Sequence, residues 1–205
     1  MQHFLQQFDE TTALDSVPFR SFLVRRRLLR RVRRIVRTTL AETAAMNIEI
    51  AAFRAEHATR FAELNREWLE RYSLMEPSNE AQLANPQGYF LSQGGQIFVA
   101  LHGDSVVGTC AIVPHGTDGW ELAKLAVSSE FRGQGIARHL VTRCITYARE
   151  RGAQRVYLVS NSQLQPALRL YESVGFRYCV LPEVRTYDHE DVSMELLSDI
   201  AAPAT

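Results

Sequence analysis

The chain has 205 residues, 46% hydrophobic and 22% charged, which allows one domain with an extension and excludes a disordered chain. Its apolar runs fall far short of the ~20 residues that cross a membrane, so no spanning segment is expected. Basic and acidic residues balance at 23 each, but unevenly: residues 1–45 hold nine arginines against Asp9, Glu10, Asp15 and Glu42, a basic arm ahead of an acidic remainder. Lys124 is the only lysine. Cys110, Cys144 and Cys179 are odd in number, widely spaced and never in a C-x-x-C pair. They make neither a disulfide framework nor a metal-ligand set, so they read as buried packing residues in a reducing compartment. With no charged-then-apolar leader at the N-terminus, a cytoplasmic location is expected.

In chain order, residues 20–37 read RSFLVRRRLLRRVRRIVR. Val24, Leu28, Val32 and Ile35 or Val36 recur at helical spacing, which predicts an amphipathic basic helix suited to an anionic membrane or a nucleic-acid backbone. The plainer reading is an extension outside the domain's chemistry, poorly ordered or an upstream in-frame translation, with no specific nucleic-acid partner. The domain is placed at residues 46–199 and a flexible tail at 200–205. Ile48 to Phe53 is a strand candidate. Residues 57–72 carry Phe61, Leu64, Trp68 and Leu69 on one face and read as a helix. Pro77, Asn79, Asn85, Pro86 and Gly88 punctuate a stretch with at most a short helix. Gly94-Gly95 opens a hairpin series: strands at 96–101, 105–113 and 120–127 join through His102-Gly103-Asp104 and through residues 116–119. A helix is predicted at 134–151, where Ala137, Leu140, Val141, Cys144, Ile145 and Ala148 fill the apolar template and Gly152 ends it. A buried strand at 155–160, a short helix at 165–173 and a last strand at 192–197 follow. This order predicts a mixed sheet with helices on both faces, α/β or α+β.

The most informative segment is ELAKLAVSSEFRGQGIARHL, residues 121–140. A strand runs through a polar turn into Gly133 and Gly135 and then a helix. Strand, glycine loop and helix start make an anion site, because backbone N–H groups point outward and the helix dipole favours negative charge. Arg132 and Arg138 add positive charge. The segment is neither a P-loop nor the dinucleotide fingerprint, and by itself it also fits a plain turn capping a core helix.

Together with the later segment VYLVSNSQLQPALRLYESVGF, residues 156–176, it says more. Arg132-x-x-Gly135-x-Ala137 resembles the R/Q-x-x-G-x-G/A motif of the GNAT N-acetyltransferase superfamily. The strand ending in Asn161, and the helix with Ala167, Leu170, Tyr171 and a terminal Gly175-Phe176, resemble its second signature. The likeness covers residues 47–198 and is greatest to small bacterial members with an E-L-x-K-x-x-V strand. It implies a seven-stranded mixed sheet flanked by about four helices, with acetyl-CoA as co-substrate and no metal. The cofactor pyrophosphate would rest on the backbone of Arg132, Gly133, Gln134, Gly135, Ile136, Ala137 and Arg138. The pantetheine arm would pair with the backbone of Leu125, Ala126 and Val127, where two strands splay apart, and Asn161 would bond to the same arm. Tyr171 corresponds to the tyrosine that protonates the departing thiolate.

The reaction needs a neutral amine, so a base is useful. By the same resemblance Glu121 takes that role, since a carboxylate in a partly apolar cleft has a raised pKa. Strand alternation puts Glu121 on one face with Ala123 and Leu125, which also fits a partnered structural carboxylate. A backbone N–H near Val127 would serve the tetrahedral oxygen. Trp68, Tyr72 and Glu76 would wall the acceptor site, with Glu76 facing a cationic substrate. Tyr187, His189 and Asp191 fall near the cleft by analogy, His189 as a further base candidate. The function expected is direct acetyl transfer in a ternary complex to a primary amine of a small molecule or amino acid. The rivals are a protein acetyltransferase and a non-catalytic acetyl-CoA sensor. A homodimer is compatible with either.

Overall fold

The computed structural model describes residues 48–116, 119–180 and 191–197; the predicted basic arm, Tyr187, His189 and the tail lie outside the described residues. Strands β1 (Ile48–Ala52), β2 (Gln96–His102), β3 (Ser105–His115), β4 (Gly119–Val127), β5 (Arg155–Ser160), β6 (Arg177–Tyr178) and β7 (Val192–Leu197) form one sheet. Its order is β1-β2-β3-β4-β5-β7-β6. All neighbours are antiparallel except β4 and β5, which are parallel and joined by a helical crossover. The helices are α1 (Ala58–Arg71), α2 (Pro77–Ala84), α3 (Ile136–Arg149) and α4 (Gln165–Val174). The expected mixed seven-stranded sheet flanked by about four helices is therefore what the chain forms.

Alternation along the strands separates two apolar clusters. Phe98 and Ala100 of β2 face α3 and α4 with Ile112, Leu140 and Leu158, whereas Ile97 and Val99 face α1 with Phe61, Leu64 and Phe90. Phe61 is wholly buried, and burial of a side chain of that size stabilises the fold by about 1.5–3 kcal/mol. Cys110 and Cys144 are buried packing residues as expected, while Cys179 is partly exposed.

Three differences from the sequence reading have local causes. Residues 77–91 are more regular than expected: Pro77 starts α2 as a first-turn proline, and a single wide turn at Gln87–Leu91 follows. Helix α3 starts at Ile136 instead of residue 134 because Gly135 takes a left-handed backbone, φ 79°. Strand β6 has two residues, too few to leave a periodic signal.

The alternation along β4 is broken as well. Thr109 pairs with Ala126 and Ala111 with Ala123, so Lys124 and Leu125 together oppose Cys110 in a β-bulge. Leu125 is consequently turned onto the α3 face, opposite to Ala123, which corrects the expected Glu121–Ala123–Leu125 face. A buried polar chain holds the bulge. Thr109 Oγ1 donates to the Lys124 carbonyl (3.1 Å), Asn65 Nδ2 donates to Thr109 Oγ1 (3.1 Å), and Trp68 Nε1 donates to Asn65 Oδ1 (3.3 Å). Thr109→Val keeps the shape and removes the hydroxyl between two buried polar groups. The unfolding free energy in chemical denaturation should fall by about 1–3 kcal/mol, and an unchanged value would mean the bulge stands without this chain.

Candidate active site

Strands β4 and β5 pair at Gly119–Arg155, Trp120–Val156 and Glu121–Tyr157, and their pairing ends there. Beyond Glu121 they part, and the bulge at Lys124 follows on β4. The wedge between them opens into a cavity of about 270 Å³. Into it the fold brings Glu121, Leu125, Ala126, Val127 and Arg132 from one wall. Asn161 follows the end of β5 and Tyr171 comes from α4, while Trp68 of α1 is joined by Tyr72 and Glu76 from the link between α1 and α2. Residues 133–138 do not line this cavity; they form the loop and first helical turn that continue from Arg132.

That loop is shaped for close approach. Gly133 (φ 78°) and Gly135 (φ 79°) both take left-handed backbones, and a Cβ added at either meets no atom within 4 Å. Glycine is required there for conformation and for the open space above the amides, not for internal packing. Gln134 Nε2 donates to the Glu130 carbonyl at 3.4 Å. Ile136 is buried in the core and Ala137 is half-buried, so both offer the loop their backbone. The two arginines are anchored: Arg132 Nε donates to the Val127 carbonyl (2.9 Å), and Arg138 donates to the Ser173 carbonyl (3.3 Å) and hydroxyl (2.8 Å). They lend fixed positive charge to the loop from both sides.

Glu121 sits at the closed end of the wedge. Burial pushes its carboxyl above the ordinary range, while the charges of Lys124 and His115 pull it down. A carboxylate so placed accepts a proton more readily than an exposed one. Around it lie groups the sequence did not flag. Tyr89 is pushed up by burial and by the Glu121 charge, and Gln82 bonds to its hydroxyl. The Tyr157 hydroxyl bonds to His115 Nδ1 across Gly119, where a Cβ would come within 3.0 Å of the His115 carbonyl and 3.5 Å of the Tyr157 ring. No spacing rule predicts this set, because it is gathered from α2, the turn at Gln87–Leu91, β3 and β5.

Tyr171 lies on the opposite wall. Helix α4 ends at Gly175 (φ 107°), and Phe176 N–H returns to the Tyr171 carbonyl at 3.0 Å, a left-handed cap that seats Phe176 edge-on to the Tyr171 ring. Burial pushes the Tyr171 hydroxyl well above its ordinary value, so it keeps its proton at working pH. Asn161 Oδ1 accepts the Gln163 N–H (2.9 Å), which shapes the β5–α4 turn. Asp191 secures the same turn, its two carboxylate oxygens accepting the Ser162 N–H and hydroxyl, each at 2.6 Å. Those bonds hold the Asp191 carboxyl below the usual carboxylate range. Asp191 thus supports the turn instead of reaching the cavity. Among the described residues no group of three His, Cys, Asp or Glu side chains is placed to hold a metal, and no helix is long and apolar enough to cross a membrane.

Parted parallel strands with a glycine loop at one strand's end and a helix start behind it define an acetyltransferase domain. The chain belongs to the acetyltransferase (GNAT) family, whose family model matches residues 49–176. Among its relatives, N-acetyltransferase family 8 member 2 of Rattus norvegicus is 34% identical over 115 residues, which cover 54% of this chain and 51% of that protein. The chain thus spans about half the length of the curated relatives it matches. An acetyltransferase of the GNAT family from Staphylococcus aureus Mu50 shares the fold with a TM-score of 0.66 at 19% identity, covering 72% of this chain and 97% of the other. The PaiA N-acetyltransferase from Thermoplasma acidophilum, solved in complex with coenzyme A, aligns with a TM-score of 0.58 at 18% identity over 75% of this chain and 100% of that one. The sequence matches include rat and human proteins, which does not bear out the expected likeness to small bacterial members.

Proposed function

We propose that this domain transfers the acetyl group of acetyl-CoA to the primary amine of a small molecule or amino acid, by direct attack in a ternary complex. The observation that carries the reading is the parting of β4 and β5 beyond Glu121. It leaves the β4 backbone at Leu125, Ala126 and Val127 with no strand partner on the β5 side beside the cavity, the Val127 carbonyl being held by Arg132 Nε. An extended pantetheine amide chain would add there as a strand does, with Asn161 across from it. The glycine loop, residues 132–138, would hold the pyrophosphate on its amides. Acetyl-CoA supplies the activated thioester; the chain's residues orient it and manage protons.

Glu121 takes a proton from the incoming amine at the closed end of the wedge, where its raised proton affinity suits it to the work. The amine nitrogen bonds to the thioester carbonyl carbon, and the C–S bond then breaks. Tyr171 donates its proton to the departing thiolate and is reprotonated by the second proton, which the new amide nitrogen sheds, while Glu121 releases the first to solvent. A phenol with raised proton affinity is a weak donor to water, but the thiolate would form in the same buried space, where burial raises its own affinity for the proton. Trp68, Tyr72 and Glu76 wall the acceptor side.

Calorimetric titration with acetyl-CoA, followed by free-thiol release over a panel of amines, tests the reading. Tight binding with turnover is expected. Tyr171→Phe should lower kcat by about 100-fold and leave acetyl-CoA affinity unchanged. Binding without turnover on any amine would make the domain a sensor, and no binding would reduce the glycine loop to a turn.

A further inference from the structure

In an uninterrupted strand, residues three apart point to opposite faces of the sheet. Glu121 and Lys124 are three apart on β4 and yet line the same cavity. The bulge is the cause. Lys124 takes a left-handed backbone, φ 54°, and its side chain runs toward α2, where Nζ donates to Asn79 Oδ1 at 2.5 Å. Asn79 is held in turn by its own bond to the Leu74 carbonyl, 3.3 Å. A lysine in the left-handed region is uncommon and strained, and a buried ammonium, here 7% exposed, is costly unless it has partners. Strained residues of this kind cluster where a site needs them. The backbone strain falls on the only lysine in the chain, next to the proposed base.

The other cations of the cavity stand elsewhere. Arg71 and Arg132 share the Glu67 carboxylate at the rim, each at 3.4 Å. Lys124 is the cation set deep beside Glu121.

We infer that Lys124 is a specificity-determining residue that binds a carboxylate of the acceptor, so that the preferred acceptor is an α-amino acid or a close derivative of one. The inference rests on the acetyl-transfer reading and deepens it. A zwitterion matches this wall charge for charge: its amine meets Glu121 and its carboxylate meets Lys124. An ammonium carries three N–H groups, so Lys124 can hold Asn79 and a carboxylate oxygen together, and charge-assisted bonds are roughly twice as strong as neutral ones. The bound carboxylate also offsets the Lys124 field that lowers the proton affinity of Glu121, which makes the base stronger when the right acceptor is present.

Two readouts on the full chain decide it. CoA-saturated protein is titrated calorimetrically with the N-acetyl derivatives of the common L-amino acids and with their α-amides. Thiol release from acetyl-CoA is then followed with the free amino acids and their α-amides. At least one acid is expected to bind about tenfold or more tightly than its amide, with the same gap in kcat/KM arising through KM, and Lys124→Met should erase both gaps. The amine of an α-amide is the less basic of the two, so easier deprotonation favours the amide and cannot produce the expected preference. Amides bound and turned over as well as acids would overturn the inference while leaving the transfer reading intact. So would a preference that survives Lys124→Met. An acid preference in binding without thiol release from any amine would uphold the subsite and overturn the transfer reading. The comparison within the wild-type protein stands even if the variant does not fold.

Discussion

In the Gly135→Asp variant, acetyl-CoA binding should fall by about 100-fold or more, because a like charge set against a phosphate costs several kcal/mol and each 1.4 kcal/mol is tenfold in affinity. The fold itself should lose little. Gly135 has φ 79°, a region that aspartate visits more readily than most residues, and a Cβ there meets no atom of the protein within 4 Å. Gly135→Ala separates the two components of the effect: it adds the bulk without the charge and should weaken binding less. Calorimetric titration of both variants, with thermal unfolding as a check on folding, gives the comparison. Wild-type affinity in Gly135→Asp would show that the space above this amide is not where the cofactor's pyrophosphate rests.

Glu121→Gln should lower kcat by about 100-fold or more, within the range general-base catalysis supplies, and should change the shape of the pH profile. The sign follows from burial. The Glu121 carboxyl is held above its ordinary value, with burial the largest cause, so below that raised value it is protonated and cannot accept the amine's proton. The wild-type rate at saturating substrates should therefore rise with pH, through a midpoint above that of an exposed glutamate. Glutamine does not titrate, and in the variant this limb should vanish. His115 faces Glu121 from β3 and bonds to Tyr157, so His115→Gln is the companion variant: it removes a charge that lowers the Glu121 value and should move the limb to higher pH. A Glu121→Gln variant whose pH profile matches the wild type would reduce Glu121 to a structural partner of Lys124.

Much of this domain was legible without coordinates. Phe61, Leu64 and Leu69 mark α1 because apolar residues at helical spacing bury one stripe; the alternation in β2 and the full template of α3 follow from periods of two and 3.6 residues. Gly133 and Gly135 mark the loop because only glycine takes a left-handed backbone without cost. These are local rules, each satisfied within a dozen residues, and they extend to the strand–loop–helix order that carries the family motifs.

The rest depends on contacts between residues far apart in the chain. Nothing near Lys124 in sequence announces a bulge; it is held by Thr109 and Asn65, which the fold brings from β3 and α1. That bulge reverses the face of Leu125 and sends Lys124 into the cavity with Glu121, so the charge pair at the centre of the site runs against the strand's own alternation. The proton affinity of Glu121 was likewise decided by burial and by the charges of Lys124, which the bulge brings round, and of His115 on β3. The order of elements, the glycine loop and the family motifs can be read from the residues in line, since backbone propensity and periodicity are local properties. Which side chains share the cavity, and what charges they feel, is set by the folded arrangement, because burial, register and electrostatic fields belong to neighbours in space.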